Sequence, residues 1–436
     1  MSDTGRHAPR VLLVAATTGY QVRSFNDAAD RLGAELVLAT DRCHQLDDPW
    51  RDGAVPIRLH DEAAAARAIV EAAAGAPVEA VLAVGDRPAL VGARAARALG
   101  LPGHPPEAVR TAGNKLLTRR RLRSAGLSAP WFRSVPVAFD DAALTEGITY
   151  PCVVKPLGLA ASRGVMRADT SAGLVAAAVR LRRLLAAADI RALRHPDTDS
   201  MLIEEYISGR EVALEGVVTN GRLQVFAIFD KPDPLEGPFF EETVYVIPDR
   251  LPAAQRRDVV GQVEAAALAL GLTHGPVHAE CRIGRRGVVV LEVAARPIGG
   301  LCSRVLRFDG PDGSRLSLED VLLRHALGRP VTAYRVTREA AAVMMIPVLR
   351  GGICQRVEGL DAARSVPLIE DIVVTVKPGQ RLVPWPEGAS YPGFIFARGA
   401  SPGAVVAAVR AAHDRLAFHV APEIPVAAGP EAGGAP

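Results

Sequence analysis

Lysine is nearly missing from this chain: of 51 lysines and arginines, only Lys115, Lys155, Lys231 and Lys377 are lysine. Against so strong an arginine habit each retained lysine is informative, because a compact ammonium and a planar guanidinium are not interchangeable where a point charge is wanted, as at a phosphate. Other absences narrow the class of protein. No uninterrupted apolar run approaches the roughly 18 residues of a membrane-spanning helix, and no basic start leads into an export-type apolar stretch, so the sequence reads as cytoplasmic with no membrane partner. The five cysteines, Cys43, Cys152, Cys281, Cys302 and Cys354, are odd in number and scattered, with no CxxC and no Cys/His cluster. That excludes a disulfide framework and a zinc site, and leaves small buried hydrophobes in a reducing compartment, Cys281 and Cys302 falling near the site proposed below. Net charge is only +3 because 48 acids are interspersed with the cations, which excludes a broad basic face and with it a nucleic-acid partner. The local exception, Arg119-Arg120-Arg121-Leu122-Arg123, reads as a solvated helix face. There is no GxGxxG, no GK[ST] and no internal repeat.

What is present is an ordinary globular composition, 49% hydrophobic and 23% charged over 436 residues, enough for roughly two to four folded units. Apolar runs at 11–15, 35–39 and 78–84 alternate with helical segments, a βαβαβα pattern that predicts a doubly wound, Rossmann-like parallel sheet over 10–111. Ser24 with Asp27, and Gly33 beyond the last apolar position, mark a capped helix start and stop. Thr17-Thr18-Gly19-Tyr20 follows the first strand, where such sheets bind ligands. A two-lobed α+β region follows, the first lobe over 112–200 with helices at 114–125 and 172–187, the second, strand-rich, over 201–330 with helices at 253–270 and 317–327. An α+β cap over 331–420 ends in a helix at 403–417. Residues 1–9 and 421–436 lack apolar periodicity and read as disordered tails.

The sharpest constellation is PVHAECRIGRRGVVVLEVAARP. Two apolar runs flank Gly284-Arg285-Arg286-Gly287, a hairpin signal, so Glu280 and Glu292 lie on adjacent antiparallel strands. By the period of two, Val277, Ala279, Cys281 and Ile283 share one face and His278, Glu280 and Arg282 the other. Two carboxylates held together call for a cation between them, a hard-oxygen arrangement suited to Mg²⁺ shared with phosphates. The same pattern also fits a half-exposed hairpin whose acids pair with Arg282, Arg285 or Arg286. Lys155 ends a strand and opens the small-residue loop Gly158–Gly164, whose backbone N–H groups and Ser162 hydroxyl can reach over phosphates. LIEEYISGREV places Glu204 and Glu211 about a Ser-Gly turn.

In that order these motifs resemble the ATP-grasp superfamily, from about Asn114 to Gly300. The resemblance implies an ATP-grasp fold with an N-terminal pre-ATP-grasp domain and a C-terminal cap, and a nucleotide between two lobes. It implies Lys115 and Lys155 on the phosphates, Ser162 and Gly164 in the phosphate cover, Glu204 with Tyr206 and Ile207 at adenine, and Glu211 on the ribose. Glu280 and Glu292 would hold Mg²⁺, with Mn²⁺ as the alternative metal, and Arg296 the transferring phosphate or a substrate carboxylate. Lys155, Glu280, Glu292 and Arg296 are thus the catalytic candidates. The chain departs from the common pattern at Ala294, where many members have Asn. Its Ala-Ala-Arg form is similar to the L-amino acid ligase branch, and GLDAARSVP with VKPG resembles the cap of carboxylate–amine ligases.

The resemblance implies an ADP-forming ligase that joins an amino acid or similar carboxylic acid to an amine through an acyl phosphate. Its partners would be small-molecule carboxylate and amine substrates, with a homodimer common among such enzymes. Substrate candidates are Arg296, Gly299, Gly300, Arg304, His278, Lys231 and Glu242; Arg307 stands beside Arg304, and Glu241, Glu242 and His278 are the candidate amine-activating bases. The segment 229–251 is either a substrate cover carrying Lys231 and Glu242 or a rigid hairpin end. Two other readings stay open: a biotin-carboxylase-like or purine-pathway carboxylation or formyl transfer, and a non-catalytic ATP-binding module.

Overall fold

The computed structural model describes residues 8–16, 20–41 and 54–423; Thr17, Thr18, Gly19 and Cys43 lie outside these. The N-terminal unit is a four-stranded parallel sheet ordered Val55–Pro56, Glu35–Thr40, Arg10–Ala15, Ala80–Val84. Its first strand is apolar at consecutive positions because both faces are covered. Leu12 and Val14 pack with Ile69 and Val91 of the helices Glu62–Gly75 and Asp86–Ala98, while Val11, Leu13 and Ala15 pack with Phe25 and Ala28 on the opposite side. The helix Val22–Leu32 ends on left-handed Gly33, as its sequence predicts, but it starts before Ser24. Its N-cap is Gln21, with no side-chain cap, and the Gln21 amide donates to the Ile298 carbonyl.

The first lobe is a four-stranded antiparallel sheet ordered Phe132–Pro136, Ser200–Glu205, Cys152–Pro156, Met166–Ala168, backed by the helix Ser171–Leu185. The helix Lys115–Ser124 precedes it; Asn114 caps its start through the Leu117 N–H at 3.0 Å, which satisfies one of the free donors of a helix N-terminus.

An eight-stranded sheet forms the body of the molecule, ordered Gly287–Ala294, His274–Gly284, Arg210–Thr219, Arg222–Asp230, Val244–Ile247, Ala340–Met345, Gly393–Gly399, Ile369–Val374. It crosses the 330/331 boundary drawn from sequence, since its last three strands come from beyond it. Alternation decides what each face covers. Val212, Leu214, Val277, Ala279 and Cys281 pack with Val259, Val263 and Ala266 of the helix Ala253–Leu270. Further along the same sheet Val244, Val246 and Ile395 pack under Val405 and Val409 of the helix Pro402–His413. Ala213, Phe229, Tyr245, Val343 and Phe394 face the other way, into a core shared with the N-terminal unit and the helix Leu318–Ala326, which starts at a Ser317–Asp320 capping box. The last helix stops at His413, short of the expected 417. Ala417–Ala421 is a strand paired with Gly352–Glu358, so its apolar residues repeat with a period of two rather than extending a helical face.

Phe308 is fully buried in the shared core, edge-on to Phe226 at 5.3 Å. Phe308→Ala is expected to lower unfolding free energy by about 3–5 kcal/mol in a urea titration, whereas Leu268→Ala, at a position 67% exposed, should stay within about 0.5 kcal/mol of the parent.

Candidate active site

The hairpin that the sequence suggests places Glu280 directly opposite Glu292. Leu291 is an extra residue in the ladder; its carbonyl accepts from Arg119 Nη2 at 2.7 Å, so the bulge leaves no orphaned acceptor. With the apolar face of His274–Gly284 buried under the helix Ala253–Leu270, His278, Glu280 and Arg282 face a cavity of about 320 Å³ enclosed by both lobes, the N-terminal unit and the cap.

Lys231 stands at the centre of this wall. Its Nζ lies 2.8 Å from Glu211 and 2.9 Å from Glu280, and it also contacts Glu242; Tyr245 places its hydroxyl 2.8 Å from Glu242 and its ring 4.9 Å from Nζ. Burial favours the neutral amine, but the three carboxylates hold the Lys231 pKa well above the ordinary lysine range. Burial and the Glu280 charge push Glu242 up to about 8, while the Lys231 and His278 charges hold Glu280 well below the usual carboxylate range against its own burial. Glu211 is held from its far side by Arg282 Nε at 2.8 Å, and Arg282 also donates to the Ile207 carbonyl at 2.7 Å. The three carboxylates would suit a metal ion by their spacing, but the ammonium already lies among them.

A second buried ion network lies in the first lobe. Arg119 donates to both oxygens of Glu204, at 2.8 and 3.2 Å, and Lys155 contacts the same carboxylate. Burial pushes Lys155 down to about 8 despite Glu204; Glu204, although burial raises it, is carried down to about 2 by the two cations. This corrects the reading of Arg119 as part of a solvated face: its side chain is fully buried and joins Glu204 of one lobe to Leu291 of the other. Lys115 reaches from the first turn of its helix to the Leu159 carbonyl at 2.7 Å and to Glu292 at 3.7 Å. The loop after Lys155 lines the cavity through Ala160, Ala161 and Ser162, with Ala161 and Ser162 both at positive φ, near 55° and 53°, a costly conformation for residues with a Cβ.

At the other end Arg296 forms a two-pronged pair with Asp86, at 2.8 and 3.2 Å. Asp86 opens the helix after the last strand of the N-terminal sheet; Arg296 holds it below the usual range in spite of its burial. Glu215, fully buried, receives the Ile298 N–H at 3.2 Å and stands 3.0 Å from His278 Nδ1, which leaves His278 Nε2 toward Glu280 at 4.0 Å. Burial raises the Glu215 pKa.

Most residues singled out from sequence therefore meet in one cavity: Lys115, Lys155, Ser162, Glu204, Tyr206, Ile207, Glu211, Glu242, His278, Glu280, Glu292, Arg296, Gly299 and Gly300 all line it, with Lys231 buried immediately behind. Glu204 and Glu211, expected at adenine and ribose, have their carboxylates engaged by Arg119 and Lys155 and by Lys231 and Arg282. Gly164 does not line the cavity; its left-handed backbone packs against Leu181, Leu184 and Pro156. Arg304 and Arg307 also lie outside the lining. The short turn Cys302–Val305 aims Arg304 at Asp371, 2.8 Å away, and over the Phe396 ring, and Arg307 pairs with Glu370 at 3.0 Å. Glu241 accepts the Val348 N–H at 3.1 Å instead of facing the cavity. Burial pushes the Cys281 and Cys302 thiols well up; Cys281 packs under the helix Ala253–Leu270, while Cys302 also lines the cavity. Sequence reasoning missed Asp86, Glu215, Tyr245 and Tyr391. A carboxylate inside the apolar strand EVALEGVVT was a usable signal for Glu215; the others become neighbours only through tertiary folding.

Glu280 and Glu292 fit a magnesium ion as hard oxygen donors on facing positions, and Glu292, 30% exposed, is open to the cavity. Ala294 adds no donor. No helix among the described residues is long and apolar enough to cross a membrane.

Family models match along most of the chain: the ATP-grasp N-terminal domain at residues 26–103, the ATP-grasp domain at 148–305, and the L-amino acid ligase C-terminal domain 2 at 344–421. The solved L-amino acid ligase of Bacillus licheniformis superposes with a TM-score of 0.81 at 26% identity, covering 96% of this chain and 100% of that one. Carnosine synthase 1 of Gallus gallus is 32% identical over 294 residues, 63% of this chain and 31% of that protein. Alanine–anticapsin ligase of Bacillus subtilis is 25% identical over 241 residues, 52% of this chain and 50% of that protein. The chain spans less than two thirds of the length of the curated relatives it matches. By these matches, which run through the N-terminal unit, the two lobes and the cap, the chain is a member of the ATP-grasp superfamily and resembles its L-amino acid ligase branch.

Proposed function

We propose that this protein is an ADP-forming carboxylate–amine ligase that uses ATP and Mg²⁺ to join an amino acid or similar acid to an amine. The observation that carries the reading is the register pair Glu280–Glu292 facing Lys115, Lys155 and Arg296 across one cavity. The ion supplies charge neutralisation at the phosphates when bound to Glu280 and Glu292. Lys115 and Lys155 add fixed positive charge on the first-lobe side, beneath the Gly158–Gly164 loop. Arg296, aimed by Asp86, holds the substrate carboxylate or the transferring phosphoryl group. A carboxylate oxygen attacks the γ-phosphorus and ADP leaves; the amine nitrogen then attacks the acyl carbon and phosphate leaves, with the amine proton passing to a base. Glu242 is placed for that role: it lines the cavity, and burial beside the Glu280 charge raises its proton affinity above that of an ordinary carboxylate. Similarity to the L-amino acid ligase of Bacillus licheniformis and to alanine–anticapsin ligase supports amino acids as a substrate class.

The direct test is Mg²⁺-dependent ADP release from ATP with pooled amino acids and amines, read by mass spectrometry. A product lighter by one water than two pool members establishes the ligase and names its substrates. Stimulation by bicarbonate or formate instead indicates a carboxylating or formyl-transferring member, and ATP binding without ADP release under any pool indicates a binding module.

Glu292→Gln should reduce ADP formation on the order of 10²-fold or more while leaving the urea midpoint unchanged; retained turnover would remove Glu292 from the metal site. The free-enzyme pKa of Lys155, about 8, sets a pH limb. The ammonium is present below that value and lost above it, so kcat/KM for ATP should fall as pH rises through about 8. In Lys155→Arg, whose cation does not titrate in this range, the falling limb should move to higher pH.

A further inference from the structure

The phosphate-covering loop is not held by its own lobe alone. A segment of the cap, 385–391, grips it at three points and the helix Ser171–Leu185 behind it at a fourth. Trp385 Nε1 donates to the Ala161 carbonyl at 3.0 Å, and the Gly164 N–H donates to the Pro386 carbonyl at 2.8 Å. Arg163 Nε donates to the Glu387 carbonyl at 2.7 Å, and the Glu387 carboxylate takes a two-pronged pair from Arg180 at 2.5 and 2.8 Å. Ala161 lies in the left-handed stretch, so the first of these bonds fixes the backbone where the loop is least able to hold its own shape.

The same cap segment reaches into the cavity. Ala389, Ser390 and Tyr391 line it beside Arg296 and Gly300, and the Tyr391 ring stacks on Trp385 with centroids 4.8 Å apart. Tyr391 is fixed from behind by Thr375 Oγ1, which donates to its carbonyl at 2.7 Å. One short segment therefore touches the Glu242 side of the cavity, the end assigned above to the amine acceptor, through Tyr391 and the phosphate end through Trp385.

We propose that Trp385 and Glu387 are positioning residues that seat the phosphate-covering loop, and that the Trp385–Tyr391 stack couples filling of the acceptor end to closure over the nucleotide. Neither side chain touches the reacting atoms: Trp385 acts through Ala161, and the Glu387 carboxylate anchors the segment on Arg180 of the helix Ser171–Leu185, which keeps the Pro386 and Glu387 carbonyls on Gly164 and Arg163. The consequence, which rests on the ligase reading above, is that the cap keeps phosphoryl transfer tied to amide formation. A loop that fails to seat admits water to the activated acid, and ATP is then consumed without product.

The test uses the full chain with Trp385→Phe, which keeps an aromatic ring for the stack and removes only the N–H donor, and with Glu387→Ala, at a half-exposed position. Two readouts are taken: the ratio of ADP released to amide formed, and the rate of tryptic cleavage after Arg163 with and without Mg²⁺ and a non-hydrolysable ATP analogue. In each variant the ADP-to-amide ratio should rise above the parent's, KM for ATP should rise roughly three- to tenfold, the effect of one hydrogen bond, and cleavage after Arg163 should quicken by a similar factor. The urea midpoint serves as the control that the fold is intact. Parent-like coupling and parent-like cleavage in both variants would overturn the proposal. If the parent forms no amide from any pool, but cleavage after Arg163 still quickens in the variants, the ligase reading fails while the latch stands.

Discussion

Everything in the second lobe is arranged about one ammonium group. Glu211, Glu242 and Glu280 come from two neighbouring strands and the segment that crosses them, and all three meet at Lys231 Nζ. Buried carboxylates repel one another and lose their hydration, so the arrangement holds only because a cation is shared among them and one acid, Glu242, keeps a high pKa. The reward of the arrangement is asymmetry. The Lys231 and His278 charges favour the ionised form of Glu280, which lies opposite Glu292, while burial and the Glu280 charge favour a proton on Glu242. A compact ammonium with three donors, lying over the Tyr245 ring, serves three acceptors at once; a planar guanidinium would fit that place poorly. The scarcity of lysine makes sense in these terms. Lys115, Lys155 and Lys231 all belong to the cavity or its wall, and only Lys377 stands in an exposed turn.

Features written in local periodicity could be read in advance. The two-residue alternation of the hairpin placed Glu280 beside Glu292, and Gly33, Asn114 and Ser317 marked helix ends that the structure keeps. Features that depend on distant neighbours could not. Arg119 sits in a run of arginines that looks solvated, yet its buried partners Glu204 and Leu291 are 85 and 172 residues away. Asp86 meets Arg296 across 210 residues. Arg304 was a plausible carboxylate binder by proximity to Gly300, but a single turn of 3-10 helix was enough to direct it at Asp371 instead. Charge type predicts that a partner exists; only topology says which one.

The division between second lobe and cap is similarly a matter of sequence rather than of packing. Three strands beyond residue 330 complete the eight-stranded sheet, and their side chains enter the same core as Phe229 and Phe308. The cap is thus rigidly continuous with the strands that carry Glu280 and Glu292. That continuity gives a segment such as 385–391 a fixed base from which to hold a loop in the other lobe. Ala294 adds no side-chain donor, so Glu280 and Glu292 are the two carboxylates that this hairpin could offer a cation.

The Asp86–Arg296 pair gives the N-terminal unit a chemical stake in a site whose principal groups belong to other parts of the chain. Its Rossmann-like scaffold could in principle be exchanged among relatives as a module. An incoming module without a carboxylate at the start of this helix would leave a buried guanidinium facing the cavity without this counter-charge. The two halves have therefore to be inherited together, and successful recombination among such proteins should respect this one long-range pairing before any boundary chosen by secondary structure.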